Sequence, residues 1–291
     1  MTVDRGRYGC LLEDGSMVIA MRARELGRRG VVVGDEVGIV GDVTAGPDTL
    51  TRIVRVTERR SVLRRTADDD DPVERIIVAN ADQLVVVVAA TNPEPQPRLV
   101  DRCLVAARDA DIEAVLVVTK LDIASADELL AIYRDVPLPV ITSRKDSLDA
   151  TLTILRERLH DRVTVFVGTS GVGKSTLVNA LVPDAQQRVG AVSTATGKGL
   201  HTTTAAIALP LPGGGWVVDT PGVRSFGLAH VDRDRLVRCF PDLAPGTDEC
   251  PGDCDHLDDE VCCLQDYVAA GHAHPERLDS LRRLLISRAA D

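Results

Sequence analysis

The spacing of apolar positions changes character twice along the chain. Over the first 65 residues, short apolar-rich runs fall at Ser16 to Met21, Gly30 to Val33, Glu36 to Val40 and Thr51 to Val56. Turn signals such as Glu13-Asp14-Gly15 and Gly34-Asp35 separate them. Short strands punctuated by Gly and Asp predict a small all-β barrel. Val33-Gly34-Asp35-Glu36-Val37 leading into another strand suits an OB-type barrel, although other β-modules share this pattern.

An acidic break follows at Asp68 to Asp71 and Pro72, which reads as a linker. Leu84 to Ala90 is then continuously apolar, the mark of a parallel strand buried on both faces. Arg98 to Ala110 has helical spacing at Leu99, Cys103, Leu104 and Ala107. Further strands are predicted at Ala114 to Val118, Val140 to Thr142, Thr164 to Val167 and Gly215 to Val218, with a helix over Leu148 to Leu159. Strands alternating with helices imply an α/β core around a mostly parallel sheet. From about Arg233 the pattern is irregular and cysteine-rich, closing on a helix from Pro275 to Ala289. The expected domains are residues 1–66, 67–232 and 233–291.

Composition narrows the class. The chain has 291 residues, 44% apolar and 27% charged, as a soluble globular protein would. The run Leu84 to Ala90 is too short to span a bilayer, and Met1 to Gly9 is polar, so no leader or membrane segment is expected and the cytoplasm is the default location. A monomer is expected. Seven cysteines without an export signal argue against disulfides, and four of them lie between Cys250 and Cys263, which suggests metal. Net charge is 34 − 44 = −10, yet residues 1–65 hold 12 Arg against 9 Asp or Glu, a local +3. A basic N-terminal module could face a phosphate surface, but on charge alone a solvated mixed face is the favoured reading.

The sharpest chemical signal is Gly168-Thr169-Ser170-Gly171-Val172-Gly173-Lys174-Ser175, which fits the phosphate-binding pattern G-x-x-x-x-G-K-S/T. An apolar strand precedes it, and Thr176 continues into a helix. The glycines let backbone N–H groups cradle phosphate oxygens at a helix N-terminus. Lys174 is expected to reach the β- and γ-phosphates, and the Ser175 hydroxyl to ligate Mg²⁺. Asp219 lies 44 residues beyond Ser175 in Trp216-Val217-Val218-Asp219-Thr220-Pro221-Gly222. An ordinary turn could read Asp-Thr-Pro-Gly, but after a phosphate loop the pattern places Asp219 near the metal and the Gly222 N–H near the γ-phosphate.

Thr119-Lys120-Leu121-Asp122 resembles the guanine-specificity motif of GTPases. A carboxylate at Asp122 can accept from both guanine N1–H and the exocyclic amine, a donor pair adenine lacks. Lys120 would lay its stem along the base. The more usual first residue is Asn, which contacts the base and props the phosphate loop; Thr119 stands there instead. Thr142-Ser143 occupies the place of a second base-contacting loop. Because Asp122 precedes Lys174, the motifs are circularly permuted, a change of connectivity that can preserve the sheet and the site. Gly197 to Thr204 falls at switch I, where Thr203 is the chosen metal ligand among three threonines. The position after Asp-x-x-Gly, which often orients water through Gln, is Val223; His201 is the nearest replacement, or else a loop residue without a catalytic role.

Cys250-x3-Cys254-x-His256-x5-Cys262 offers four soft ligands within 13 residues, a complete structural zinc set. Cys263 could take the place of Cys262. Cys10, Cys103 and Cys239 read as core residues.

In this order and over nearly the full length, these pieces resemble the RsgA (YjeQ) family of small-subunit-dependent GTPases. The resemblance implies an α/β P-loop GTPase core, circularly permuted, between an N-terminal OB-fold domain and a C-terminal zinc-binding domain. It implies GTP/GDP, Mg²⁺ and Zn²⁺ as ligands, and the small ribosomal subunit and its rRNA as partners in late subunit maturation. The family's proposed catalytic histidine falls on His201 and its zinc ligands on Cys250, Cys254, His256 and Cys262. Leu200 stands where the family usually has Arg, and no basic N-terminal extension is expected. Two rival classes are a P-loop ATPase or kinase, against which Asp122 argues, and an RNA-binding nucleotide sensor with little hydrolysis, against which intact Lys174, Ser175 and Asp219 argue.

Overall fold

The computed structural model describes residues 1–4, 6–26, 30–42, 51–69, 73–183, 206–221, 226–257 and 260–289. Its centre is a parallel sheet built from β8 (Gln83–Ala89), β9 (Glu113–Thr119), β10 (Val140–Thr142), β11 (Val163–Val167) and β13 (Trp216–Asp219), in the spatial order β10-β9-β8-β11-β13. Every residue of β8 is buried. Its alternate side chains serve opposite faces, as strand geometry requires. Leu84, Val86 and Val88 pack with α1 (Pro97–Asp109), while Val85 and Val87 pack with α3 (Leu148–Leu159) and α4 (Lys174–Leu181). The short α2 (Asp127–Ile132) lies between β9 and β10 in the chain. Helices on both faces explain why these strands are apolar throughout rather than alternating.

The sheet does not stop at β13. Antiparallel β12 (Ile207–Pro210) follows it, and β12 in turn pairs with β1 (Thr2–Asp4) at Thr2–Ile207. Through this contact the core is continuous with β2 (Arg7–Leu11), β3 (Met17–Arg22), β5 (Thr51–Val56) and β4 (Val37–Val40), in that order. These five N-terminal strands, with β3 and β5 parallel, form the expected partly open OB-type barrel around Tyr8, Ala20, Val31 and Ile53. Gly30 to Val33, expected as a strand, is not one. Its chain turns at Gly34 (φ +90°), and a Cβ there would fall 2.0 Å from the Ala79 carbonyl oxygen. That close approach seats the barrel against β7 (Arg75–Ala79), which pairs with β6 (Val62–Arg65) in a separate ribbon. The acidic break is anchored at its described end, because Asp69 is buried and ion-paired to Arg102.

Beyond β13, α5 (Arg233–Arg238), α6 (Leu264–Ala269) and α7 (Pro275–Ala289) build a C-terminal lobe. Leu236, Phe240, Leu264, Leu281 and Leu285 join the same apolar cluster as α1. Among its described residues, the region read as irregular thus contains two short α-helices and a 3-10 turn at Ala244–Thr247 besides the predicted last helix.

Candidate nucleotide site and metal centre

Thr119, Thr142, Val167 and Asp219 are the last residues of β9, β10, β11 and β13, so the motifs converge at the carboxyl edge of one parallel sheet. This is where open α/β sheets bind ligands. The phosphate loop leaves β11 at Gly168, where a Cβ would lie 2.6 Å from the Val87 carbonyl oxygen, so only glycine fits. Gly171 (φ +84°) and Gly173 (φ +92°) adopt the left-handed conformation that turns the loop into α4. Among the described residues no side chain caps α4, which leaves its first N–H groups for an anionic ligand. Ser170, Ser175 and Thr176 are exposed beside them.

Lys174 is the first residue of α4 and is buried. Its Nζ donates to the Asp219 carboxylate and, at 2.7 Å, to the Thr220 carbonyl. The Thr220 hydroxyl donates to the Phe166 carbonyl at 2.7 Å and fixes the chain leaving β13. Lysine, carboxylate and loop therefore form one unit although 45 residues separate Lys174 from Asp219.

The base-recognition segment is braced from three sides. Thr119 Oγ1 donates to the Val172 carbonyl at 2.6 Å, so threonine retains the loop-propping contact that Asn makes in the usual motif. Lys120 adopts φ +62°, uncommon for a residue with a Cβ, and its Nζ bonds to the Asn92 carbonyl. Leu121 N donates to the Ser143 carbonyl at 3.3 Å and Ser143 N to the Val118 carbonyl at 2.8 Å, which joins Thr142-Ser143 to the motif. The Asp122 carboxylate accepts from the Lys145 backbone N–H at 3.0 Å, and that bond orients it. Asn92 and the Lys145 amide escaped the sequence reading; only their places, after β8 and just beyond Thr142-Ser143, could have signalled them. His201 and Thr203 in switch I, and Gly222 and Val223 after Asp219, lie outside the described residues.

The ligand atoms of Cys250, Cys254, His256 and Cys262 all lie within 4.8 Å of one another. His256 Nδ1 is 3.7 Å from Cys262 Sγ. A tetrahedral zinc with bonds of about 2.3 Å would set its sulfur ligands about 3.8 Å apart, so the cluster has the size of a zinc site. Cys263 instead donates to the Glu249 carbonyl at 3.1 Å. Burial pushes the Cys262 thiol up to about 12, and neighbouring Cys250 and Cys254 add to the rise. A divalent cation is what lets three thiolates share such a space. Burial also lowers the pKa of His256, favouring the neutral imidazole that a metal needs. Among the described residues, no helix is long and apolar enough to cross a membrane.

Comparison with known proteins agrees with this geometry. A family model described as RsgA GTPase matches residues 56–229. The small ribosomal subunit biogenesis GTPase RsgA of Gemmatimonas aurantiaca is 37% identical over 87% of this chain and 83% of its own. That of Pseudomonas aeruginosa is 41% identical over 84% of this chain and 73% of its own. Among solved structures, YjeQ from Thermotoga maritima superposes with a TM-score of 0.71 at 26% identity, covering 96% of this chain and 92% of that one. YloQ, a circularly permuted GTPase, matches in fold at 23% identity with a TM-score of 0.71 over 98% of this chain and 92% of its own.

Proposed function

Because the chain belongs to the RsgA family of GTPases, we propose that it hydrolyses GTP to GDP and phosphate on the small ribosomal subunit and assists late maturation of that particle. The observation that carries the reading is the convergence of Asp122, Lys174 and Asp219 at one sheet edge in permuted chain order. Asp122, oriented by the Lys145 amide, selects guanine. Loop N–H groups between Gly168 and Thr176 and the Lys174 ammonium hold the phosphates. Mg²⁺ supplies charge neutralisation at the phosphate oxygens, with Ser175 and Thr203 as its protein ligands and Asp219 nearby. The Gly222 N–H supports the γ-phosphate, and His201 positions the attacking water, a role Val223 cannot take.

The chain acts as a cytoplasmic monomer in three parts, residues 1–66, 67–232 and 233–291. The barrel and the zinc-bearing lobe are its rRNA-facing modules. Cys250, Cys254, His256 and Cys262 hold zinc as a cross-link within the last part.

The test is GTP turnover with and without purified small subunits. Roughly 10⁻⁴ to 10⁻² per second is expected alone, as for GTPases with an incomplete site, and a marked rise with subunits. A rate indifferent to small subunits would overturn the partner; no hydrolysis under either condition would overturn the reaction.

A further inference from the structure

The described chain stops at Pro221 beside the nucleotide site and resumes at Phe226. Phe226 to Ala229 are held by polar contacts from two other parts of the molecule. Arg102, on α1, grips both Asp69 carboxylate oxygens, one at 2.7 Å. The same guanidinium donates to the Phe226 carbonyl at 3.1 Å. Asp69 also accepts from the Leu228 N–H at 3.1 Å. Beside this pair, Thr66 forms a bridge with Gly227: its N–H donates to the Gly227 carbonyl at 3.0 Å, and its hydroxyl accepts from the Ala229 N–H at 3.2 Å. The approach is so close that a Cβ on Gly227 would fall 2.4 Å from the Thr66 hydroxyl. Phe226 and Leu228 are buried on either side.

Two facts make this more than a packing contact. First, Thr66 to Asp69 is the chain that follows β6, so the ribbon between the barrel and the GTPase sheet holds Phe226 to Ala229 directly. Second, Thr220-Pro221 precede Phe226 by only a few residues in the sequence, and the Thr220 carbonyl accepts from Lys174 in the phosphate loop. A displacement of Phe226 to Leu228 therefore reaches the phosphate end of the site through a few residues of chain. Buried ion pairs add little net stability, but they fix register where a planar guanidinium grips a carboxylate in a fork.

We propose that Arg102 and Asp69 are positioning residues for GTP hydrolysis, anchoring Phe226 to Leu228, which follow Asp219 to Pro221 in the sequence, to residues 66–69 that follow β6. This deepens the proposed function and rests on it for the reaction. GDP is held by the base motif and the phosphate loop, which the pair does not touch. The third phosphate is the part of the ligand that depends on the chain after Asp219. Loosening the pair therefore separates the two nucleotides in affinity, whereas general destabilisation weakens both alike.

The experiment uses the full chain carrying Asp69→Asn, which keeps an acceptor for the Leu228 N–H but loses the charge that Arg102 grips. GDP affinity is expected to stay within about twofold, affinity for a non-hydrolysable GTP analogue to fall about fivefold or more, and KM for GTP to rise by a similar factor while kcat also falls. Combining it with Arg102→Gln should add nothing further, because the two act as one unit. If Asp69→Asn does not fold, Arg102→Lys decides in its place, since it keeps the charge but loses the fork. An unchanged ratio of the two affinities, or equal losses for both nucleotides, overturns the proposal. A wild-type chain that binds no guanine nucleotide would instead overturn the proposed function, and this inference with it.

Discussion

Lys174 and Arg277 are both buried cations set against carboxylates, and they differ in how completely the protein surrounds them. The Lys174 side chain is 8% exposed and its partner Asp219 24%, at the open edge of the sheet. Arg277, on α7, and its partners Asp101 and Asp242 are each 1–2% exposed. Asp242 takes two hydrogen bonds from the guanidinium, at 2.8 and 3.0 Å, and Asp101 a third. Phe240 lies under its plane at 4.4 Å, and the Tyr133 hydroxyl reaches Asp101 at 3.1 Å. A planar fork with partners on several sides is a fixed joint between α1 and the C-terminal lobe. An ammonium group at an open edge, with three rotatable donors, can exchange a carboxylate for a phosphate oxygen. Partner geometry and access, more than the presence of an ion pair, separate a fastening from a binding group.

Zinc removal should give the largest effect. Structural zinc supplies on the order of 10 kcal/mol of folding free energy to a small site. Chelation is expected to unfasten the chain beyond about residue 240, seen by hydrogen exchange, while GDP affinity changes little; metal analysis of reduced protein should find one zinc per chain. Next comes Arg277→Ala, which strands two buried carboxylates and should destabilise the protein by about 3–5 kcal/mol in denaturant unfolding. Arg277→Lys should rescue it only in part, because a point charge cannot reproduce the fork. Lys174→Ala reverses the pattern: stability should change by less than about 1 kcal/mol, while GDP and GTP affinities fall about tenfold or more. Comparable unfolding losses in Arg277→Ala and Lys174→Ala would break the comparison.

The smallest effect belongs to an exposed network. Glu113 bonds to Arg158 at 2.6 Å and to Arg162. Burial opposes its ionisation, but the Arg162 hydrogen bond and both arginine charges outweigh it, so the carboxyl titrates below its ordinary value. A depressed folded-state pKa gives stability that is present above the unfolded value and lost as pH falls through the folded one. Glu113→Gln should therefore reduce stability by no more than about 0.5 kcal/mol at neutral pH, and the difference should fade below about pH 4.

What could be read from the sequence was what local spacing dictates. Thr51 to Val56, Val140 to Thr142, Leu148 to Leu159 and Pro275 to Ala289 begin and end where their patterns place them. The loop from Gly168 to Lys174 was legible because a strand, spaced glycines, a lysine and a helix are all local signals. The joint at Arg277 was not, because Asp101 is 176 residues away and a lone Arg on a charged helix looks exposed. Asp69 was misleading for the same reason: four consecutive aspartates suggest solvent, and only the fold brings Arg102 and the Leu228 amide to one of them. β12 and β1 are short, and each takes its place in the sheet mainly from a longer-paired neighbour, β12 from β13 and β1 from β2. Thr119, a departure from the usual Asn in the sequence, still props the loop through its hydroxyl, a contact that only the fold reveals.

The account stands on guanine being read by the Asp122 carboxylate, held by the Lys145 amide at the end of a permuted sheet. The direct measurement is equilibrium binding of GDP and xanthosine diphosphate to wild type and to Asp122→Asn. Asparagine keeps an acceptor for the Lys145 N–H but offers the base an acceptor and a donor in place of two acceptors. The variant should lose GDP affinity by about tenfold or more and prefer the xanthine nucleotide, reversing the wild-type order. Unchanged GDP affinity in Asp122→Asn, with no gain for the xanthine nucleotide, would contradict the base-recognition site and the permuted arrangement built on it.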